Sequence, residues 1–120
     1  MQGSWVECFI IPVPEERLEE YKKLAVKTAR VFRELGALEY VECISDNTKP
    51  GQITSFPRAV QAKDDEKIVL AWVTYSSKEQ WQEVHKKFLE HPVMQEMTPD
   101  NLPFDGKRMI IGGFDVFLSA

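Results

Sequence analysis

The sequence predicts an α+β fold with the element order strand, helix, strand, strand, helix, strand. Three observations predict it: short runs rich in β-branched and aromatic residues, two longer stretches with apolar residues at three- and four-residue steps, and clusters of Gly, Pro, Asn and Asp between them. At 120 residues and 43% hydrophobic content, the chain is sized for one domain, 1–120, with one continuous core.

Residues 5–11 (Trp-Val-Glu-Cys-Phe-Ile-Ile) read as a first strand that stops at Pro12-Val13-Pro14, with Pro14 suited to a helix's first turn. From Glu15 to Leu35 the apolar positions Leu18, Tyr21, Leu24, Ala25, Thr28, Val31, Phe32 and Leu35 mark one face of a long amphipathic helix. Acids gather early in it and cations late, as the helix dipole favours, and Gly36 supplies a left-handed C-cap. Ala37 to Ile44 alternates at period two as a second strand. Ser45 to Pro57 is too dense in turn formers for a regular element, and residues 58–62 read as a short extended piece. Ile68 to Tyr75 is the central-strand candidate. Ser77 and Gln80 form a capping box ahead of a second helix whose inner face is Trp81, Val84, His85, Phe88 and Leu89, ending near His91-Pro92. Turn chemistry returns at Pro99 to Gly106, and Arg108 to Leu118 is the last strand.

This order is the ferredoxin-like βαββαβ unit, an antiparallel sheet with two helices on one face. The first strand is apolar on both sides: Val6, Cys8 and Ile10 alternate with Trp5, Phe9 and Ile11. With no third helix to cover the second face, a homodimer joined sheet to sheet is expected, with a cavity at the seam or between sheet and helices.

Nineteen acidic against 15 basic residues give a formal charge of −4, and the helix cations alternate with glutamates rather than forming a stripe. Nucleic acid is not an expected partner. No run reaches the length of a membrane span, and Met1-Gln2-Gly3-Ser4 does not begin like a signal peptide, so the cytoplasm is the expected compartment and no membrane partner is expected. Cys8 and Cys43 are expected as free thiols.

Four segments then carry a resemblance: Val41-Glu42-Cys43, Phe56 to Ala62, Trp72 to Lys78, and Leu102 to Phe114 with its run Pro-Phe-Asp-Gly-Lys-Arg-Met-Ile followed by Gly-Gly-Phe. Together they resemble the YbaA-like family of uncharacterised bacterial proteins over nearly the whole chain. The resemblance implies membership of the dimeric α+β barrel superfamily. That superfamily includes cofactor-independent monooxygenases, lactone isomerases, haem-handling enzymes and proteins that only bind ligands.

Glu42 and Glu7 each interrupt an apolar strand, and a carboxylate in an apolar pocket is a candidate proton shuttle, with Glu42 the expected catalytic residue. The competing reading leaves them at a solvated edge or pairs them with Arg58 or Arg108. Tyr40, Trp72 and Phe114 are candidate aromatic walls and Arg108 a candidate anchor for an anionic group. The competing reading places the aromatics in a dimer core and Arg108 in an interfacial ion pair. Cys43 and Cys8 read as small buried hydrophobes, and Cys43 faces away from its neighbour Glu42. His85 and His91 lack a third ligand at metal-binding spacing, so no metal site and no cofactor are expected. Gly112-Gly113 inside a strand marks a bulge or a close backbone contact.

The expected function is binding of a small apolar or aromatic metabolite by a homodimer, with cofactor-independent oxygenase or isomerase chemistry implied by the superfamily. The alternative is a non-catalytic interaction or sensing module that uses the loop from Ser45 to Pro57.

Overall fold

The computed structural model describes residues 3–120. Four strands, β1 (Trp5–Pro14), β2 (Glu39–Ile44), β3 (Glu66–Tyr75) and β4 (Ile110–Asp115), form one antiparallel sheet in the order β2-β3-β1-β4. The helices are α1 (Leu18–Leu35), the single turn α2 (Phe56–Ala59) and α3 (Lys78–Glu90). The chain has the α+β, ferredoxin-like fold.

β1 runs through both prolines, three residues past the expected stop at Ile11. β4 pairs only with Trp5 to Ile10, so Pro12 and Pro14 lie where one side of the strand is unpaired and a missing N–H is tolerated. A 3-10 turn, Glu15–Arg17, follows before α1 begins. Gly36 ends α1 at φ +124°, and the Ala37 N–H returns to the Phe32 carbonyl at 3.0 Å, closing the C-terminus. At the start of α3 the Ser77 Oγ accepts the Gln80 N–H at 3.1 Å. The Gln80 side chain reaches back one residue further than in a capping box, accepting the Ser76 N–H and donating to the Gly36 carbonyl at 2.6 Å each. One glutamine thus ties the end of α1 to the start of α3.

Residues 58–62 are not extended. Ser55 caps α2 by accepting the Arg58 N–H, and Pro57 sits in its first turn, a helix-start signal that outweighs the local polar composition.

Directly paired residues share a face of the sheet. Trp5, Glu7, Phe9, Ile11 and Val13 of β1 therefore stand with Tyr75, Val73, Ala71 and Val69 of β3 on one side. This is the helix side, where two clusters form: one around Trp5, Phe32, Val73, Tyr75, Val84 and Phe88, the other around Ile11, Val13, Tyr21, Val69 and Ala71. The opposite face carries Val6, Cys8 and Ile10 of β1, Leu70 and Trp72 of β3, Val41 and Cys43 of β2, and Ile110 and Phe114 of β4. Among the described residues no helix covers its middle, and Phe114 is 56% exposed, whereas Val6, Pro12, Ile68 and Thr74 of the same face are buried within the chain.

Gly113 pairs with Glu7 without a bulge, and a Cβ there would lie 2.2 Å from the Trp5 indole. That ring is itself held by Trp81, with centroids 4.7 Å apart. Gly113→Ala is expected to lower stability by about 1–3 kcal/mol through overpacking, read as a lower urea midpoint at unchanged slope. A midpoint equal to wild type would show that the indole moves aside freely.

Candidate functional site

A cavity of about 300 Å³ opens between the sheet and the helices, where the two core clusters meet. Its walls are mostly apolar, including Phe9, Leu24, Phe32, Phe88, Met97 and Phe104, and its polar groups include Glu7, Glu42, Tyr21, Tyr40 and His85.

Alternation along β2 turns Tyr40 and Glu42 to the helix side and Cys43 away from it. Glu42 meets two hydroxyls: Tyr21 of α1 donates to Oε1, and Tyr40 donates to Oε2 at 2.7 Å. Burial, reinforced by the Glu42 charge, pushes both phenols well above their ordinary pKa, so they remain protonated donors. Each ring is also packed. Tyr21 stands edge-on to Phe104 at 5.7 Å, and Tyr40 lies against Phe32 at the same centroid separation. A carboxylate offers about four lone-pair positions, so Glu42 keeps free acceptor capacity while its orientation is held.

Glu7, on β1, is 5% exposed. Burial raises its carboxyl pKa, and the nearby Trp81 indole pulls it partly back, although Nε1 reaches no hydrogen-bond partner. The Tyr75 hydroxyl, buried and likewise unpartnered, is pushed up by burial and by the Glu7 charge. His85 stacks on Trp81 at 5.4 Å and faces the same cavity.

Of the residues singled out in the sequence, the fold brings Tyr40 and Glu42 together and separates the rest. Trp72 and Phe114 stand on the opposite face of the sheet, because each neighbours in sequence a residue that faces the helices. Arg108 lies outside the cavity wall, in a two-pronged pair with Glu66 at 2.7 Å per contact, with further bonds to Asp105 at 3.0 Å and the Gln61 carbonyl at 2.9 Å. Its ion pair lies within the chain. Neither Arg58 nor Arg108 pairs with Glu42; Arg58 bonds the Gly51 carbonyl instead. Both thiols are free, Cys43 exposed and Cys8 partly so. His91 Nδ1 accepts the Val93 N–H at 3.0 Å and starts a 3-10 turn, Pro92–Glu96. Among the described residues no group of three or more His, Cys, Asp or Glu is placed to hold a metal ion, and no helix is long and apolar enough to cross a membrane.

Tyr21 was legible only as a core position of the first helix. The signal that it does more is general: a buried tyrosine hydroxyl needs a partner, and this one sits on an inward-facing stripe.

The comparisons with known proteins concern the family and the fold. The "uncharacterized protein YbaA" of Escherichia coli K12 is 40% identical over 112 residues, spanning 93% of this chain and 95% of its own. That of Shigella flexneri gives the same values. A crystal structure described as a dimeric ferredoxin-like protein from an uncultured marine organism superposes with a TM-score of 0.54 at 12% identity, covering 99% of this chain and all of the other. Residues 4–106 match the family model described as "Protein of unknown function (DUF1428)". With that match and the 40% identity along most of its length, the chain belongs to the DUF1428 family, with the YbaA proteins among its relatives.

Proposed function

We propose that residues 1–120 act as one domain that pairs through the uncovered face of the sheet into a homodimer. In this reading each protomer binds a small apolar or aromatic metabolite in the cavity between its sheet and helices. Glu42 is its acid/base group, and the reaction class is cofactor-independent proton abstraction from an activated carbon acid, the first step of an isomerisation or an oxygenation. The cytoplasm is the expected setting.

The observation that carries the reading is the convergence of a cavity of about 300 Å³ on a carboxylate held by the Tyr21 and Tyr40 hydroxyls rather than by a salt bridge. Such a volume suits a small ligand, and an oriented carboxylate in apolar walls suits proton transfer. Within this reading Trp72 and Phe114 belong to the dimer interface, and Arg108 is structural. The dimeric neighbour supports the pairing.

Native mass spectrometry of the purified protein is the test of assembly and cargo, and the small molecule released on denaturation supplies the substrate class for an assay. Saturable turnover of that class is expected, reduced about 10²–10⁴-fold in Glu42→Gln with the circular dichroism spectrum unchanged. A monomer would remove the pairing, and full activity in Glu42→Gln would remove the acid/base assignment.

One observation favours a second reading, the interaction module. Ile53, in the irregular stretch between β2 and α2, is 92% exposed. A dimer with an empty cavity, bound by none of a panel of small molecules, would move the function to that loop.

A further inference from the structure

We propose that the cavity takes a hydrophobic amine, with the ammonium group bound by Glu7. The proposal rests on the reading of the cavity as a small-molecule site and goes beyond it by assigning the ligand's charge and the residue that meets it.

Glu7 is 5% exposed and lines the cavity. Among the described residues no ion pair reaches its carboxylate, and the Trp81 indole beside it offsets only part of the cost of burial. Its polar neighbours, the Trp81 indole N–H and the Tyr75 hydroxyl, are themselves buried without partners. A lone carboxylate in apolar surroundings is costly unless a cation or a set of donors meets it. Here the chain supplies no cation, only the Trp81 indole, and the open side of the carboxylate is the cavity. Burial raises its pKa in the empty protein, and a bound cation would lower it again.

The sign of the site agrees. Two carboxylates, Glu7 and Glu42, line the cavity, and no lysine or arginine does. In a low-dielectric space that pattern attracts a cation and repels a carboxylate or phosphate. The walls add to it, because Phe9, Phe32, Phe88, Phe104, Tyr21 and Tyr40 present aromatic rings to the same space. Rings around an acidic group form a recognised setting for an ammonium.

Each Glu42 oxygen already accepts a tyrosine hydroxyl, so Glu42 has less unmet demand for a cation than Glu7. Glu7 pairs with Val73 and Glu42 with Ala71, two strands apart and one row offset, which puts their Cα atoms roughly 12 Å apart. The amine end and the end presented to Glu42 are thus separate.

Three probes of one shape give the test: 2-phenylethylamine, 2-phenylethanol and phenylacetate, titrated calorimetrically into the full chain at pH 7.5. The amine is expected to bind at least about tenfold tighter than the alcohol, and phenylacetate weakest. In Glu7→Gln the amine and the alcohol should fall within about threefold of each other, while the alcohol's own affinity stays put. In the wild type, the Glu7 side-chain carboxyl carbon should shift in the NMR spectrum on adding the amine and not on adding the alcohol. That reading needs no variant to fold. Phenylacetate binding as tightly as the amine, or an amine preference that survives Glu7→Gln and vanishes in Glu42→Gln, overturns the proposal while leaving the cavity a binding site. Failure of all three probes to bind overturns the proposal together with the reading it rests on.

Discussion

Replacing Arg108 by methionine is expected to lower folding stability at pH 7 by about 3 kcal/mol, a large share of the total for a domain of this size. The Glu66 side chain is 2% exposed and that of Arg108 14%, and two parallel contacts of 2.7 Å join them. Methionine keeps the apolar stem's packing and removes the guanidinium, leaving the Glu66 carboxylate with only the Lys63 backbone N–H at 2.7 Å. The pH dependence has a definite sign. The Arg108 hydrogen bonds hold the Glu66 carboxyl below its ordinary pKa, more than offsetting the upward push of burial. The pair's stabilisation is therefore complete above the unfolded value of about 4.3 and is lost as pH falls through the lower folded value. In the variant only the Lys63 backbone N–H and the Lys63 charge oppose the upward push of burial, so the carboxyl loses most of its depression and acidification removes far less stability. The gap between wild type and Arg108→Met should narrow steadily from pH 7 to pH 3 in urea unfolding. Adding Glu66→Gln should recover much of the loss at pH 7. A single variant within 1 kcal/mol of wild type at pH 7 would return Arg108 to the candidates for ligand anchoring.

Arg108 also marks where sequence reading stops. Its type and its place before the last strand were visible, but Glu66 lies 42 residues away and meets it only because the 3-10 turn Gly106–Arg108 sits beside the start of β3. Period-two alternation separates Glu42 from Cys43, as the sheet does. It could not say which set faced the helices, because both sides of β1 and β3 are apolar. For that reason the sequence groups Trp72 and Phe114 with Tyr40 and Glu42, although the sheet divides them. The βαββαβ order was legible because its signals are local: Gly36 at a positive φ, Ser77 with Gln80, and turn formers between strands. The cavity was not, since a gap between two packed clusters depends on how α1 and α3 lie over the sheet. Tyr21 belongs to the same class, joining Glu42 across α1 and β2.

Leu70→Lys is expected to convert the proposed dimer to a monomer at micromolar concentration, raising its dissociation constant by at least about 10³. Leu70 stands on β3, paired with Ile10 and Cys43, near the middle of the uncovered face. By strand rise and spacing that face offers on the order of 500 Å² per protomer, near the lower limit for a specific pairing. The exposed Phe117 and Leu118 just beyond β4 can extend it. An interface of that size has little to spare against a buried, unpaired ammonium, and a two-fold axis places the substitution there twice. Sedimentation equilibrium of wild type and variant decides the matter: a monomeric wild type, or a variant as dimeric as its parent, assigns the apolar face to something other than a second copy. The same variant separates two properties of the sheet. Glu7, Tyr40 and Glu42 face the helices, whereas Leu70, Trp72 and Phe114 face the other way. The residues that line the cavity belong to the helix side, away from the proposed seam, so the monomeric variant should bind 2-phenylethylamine with the affinity of its parent. If affinity falls with the assembly, the cavity takes its shape from a sheet that only pairing holds flat, and ligand binding and dimerisation are one equilibrium rather than two.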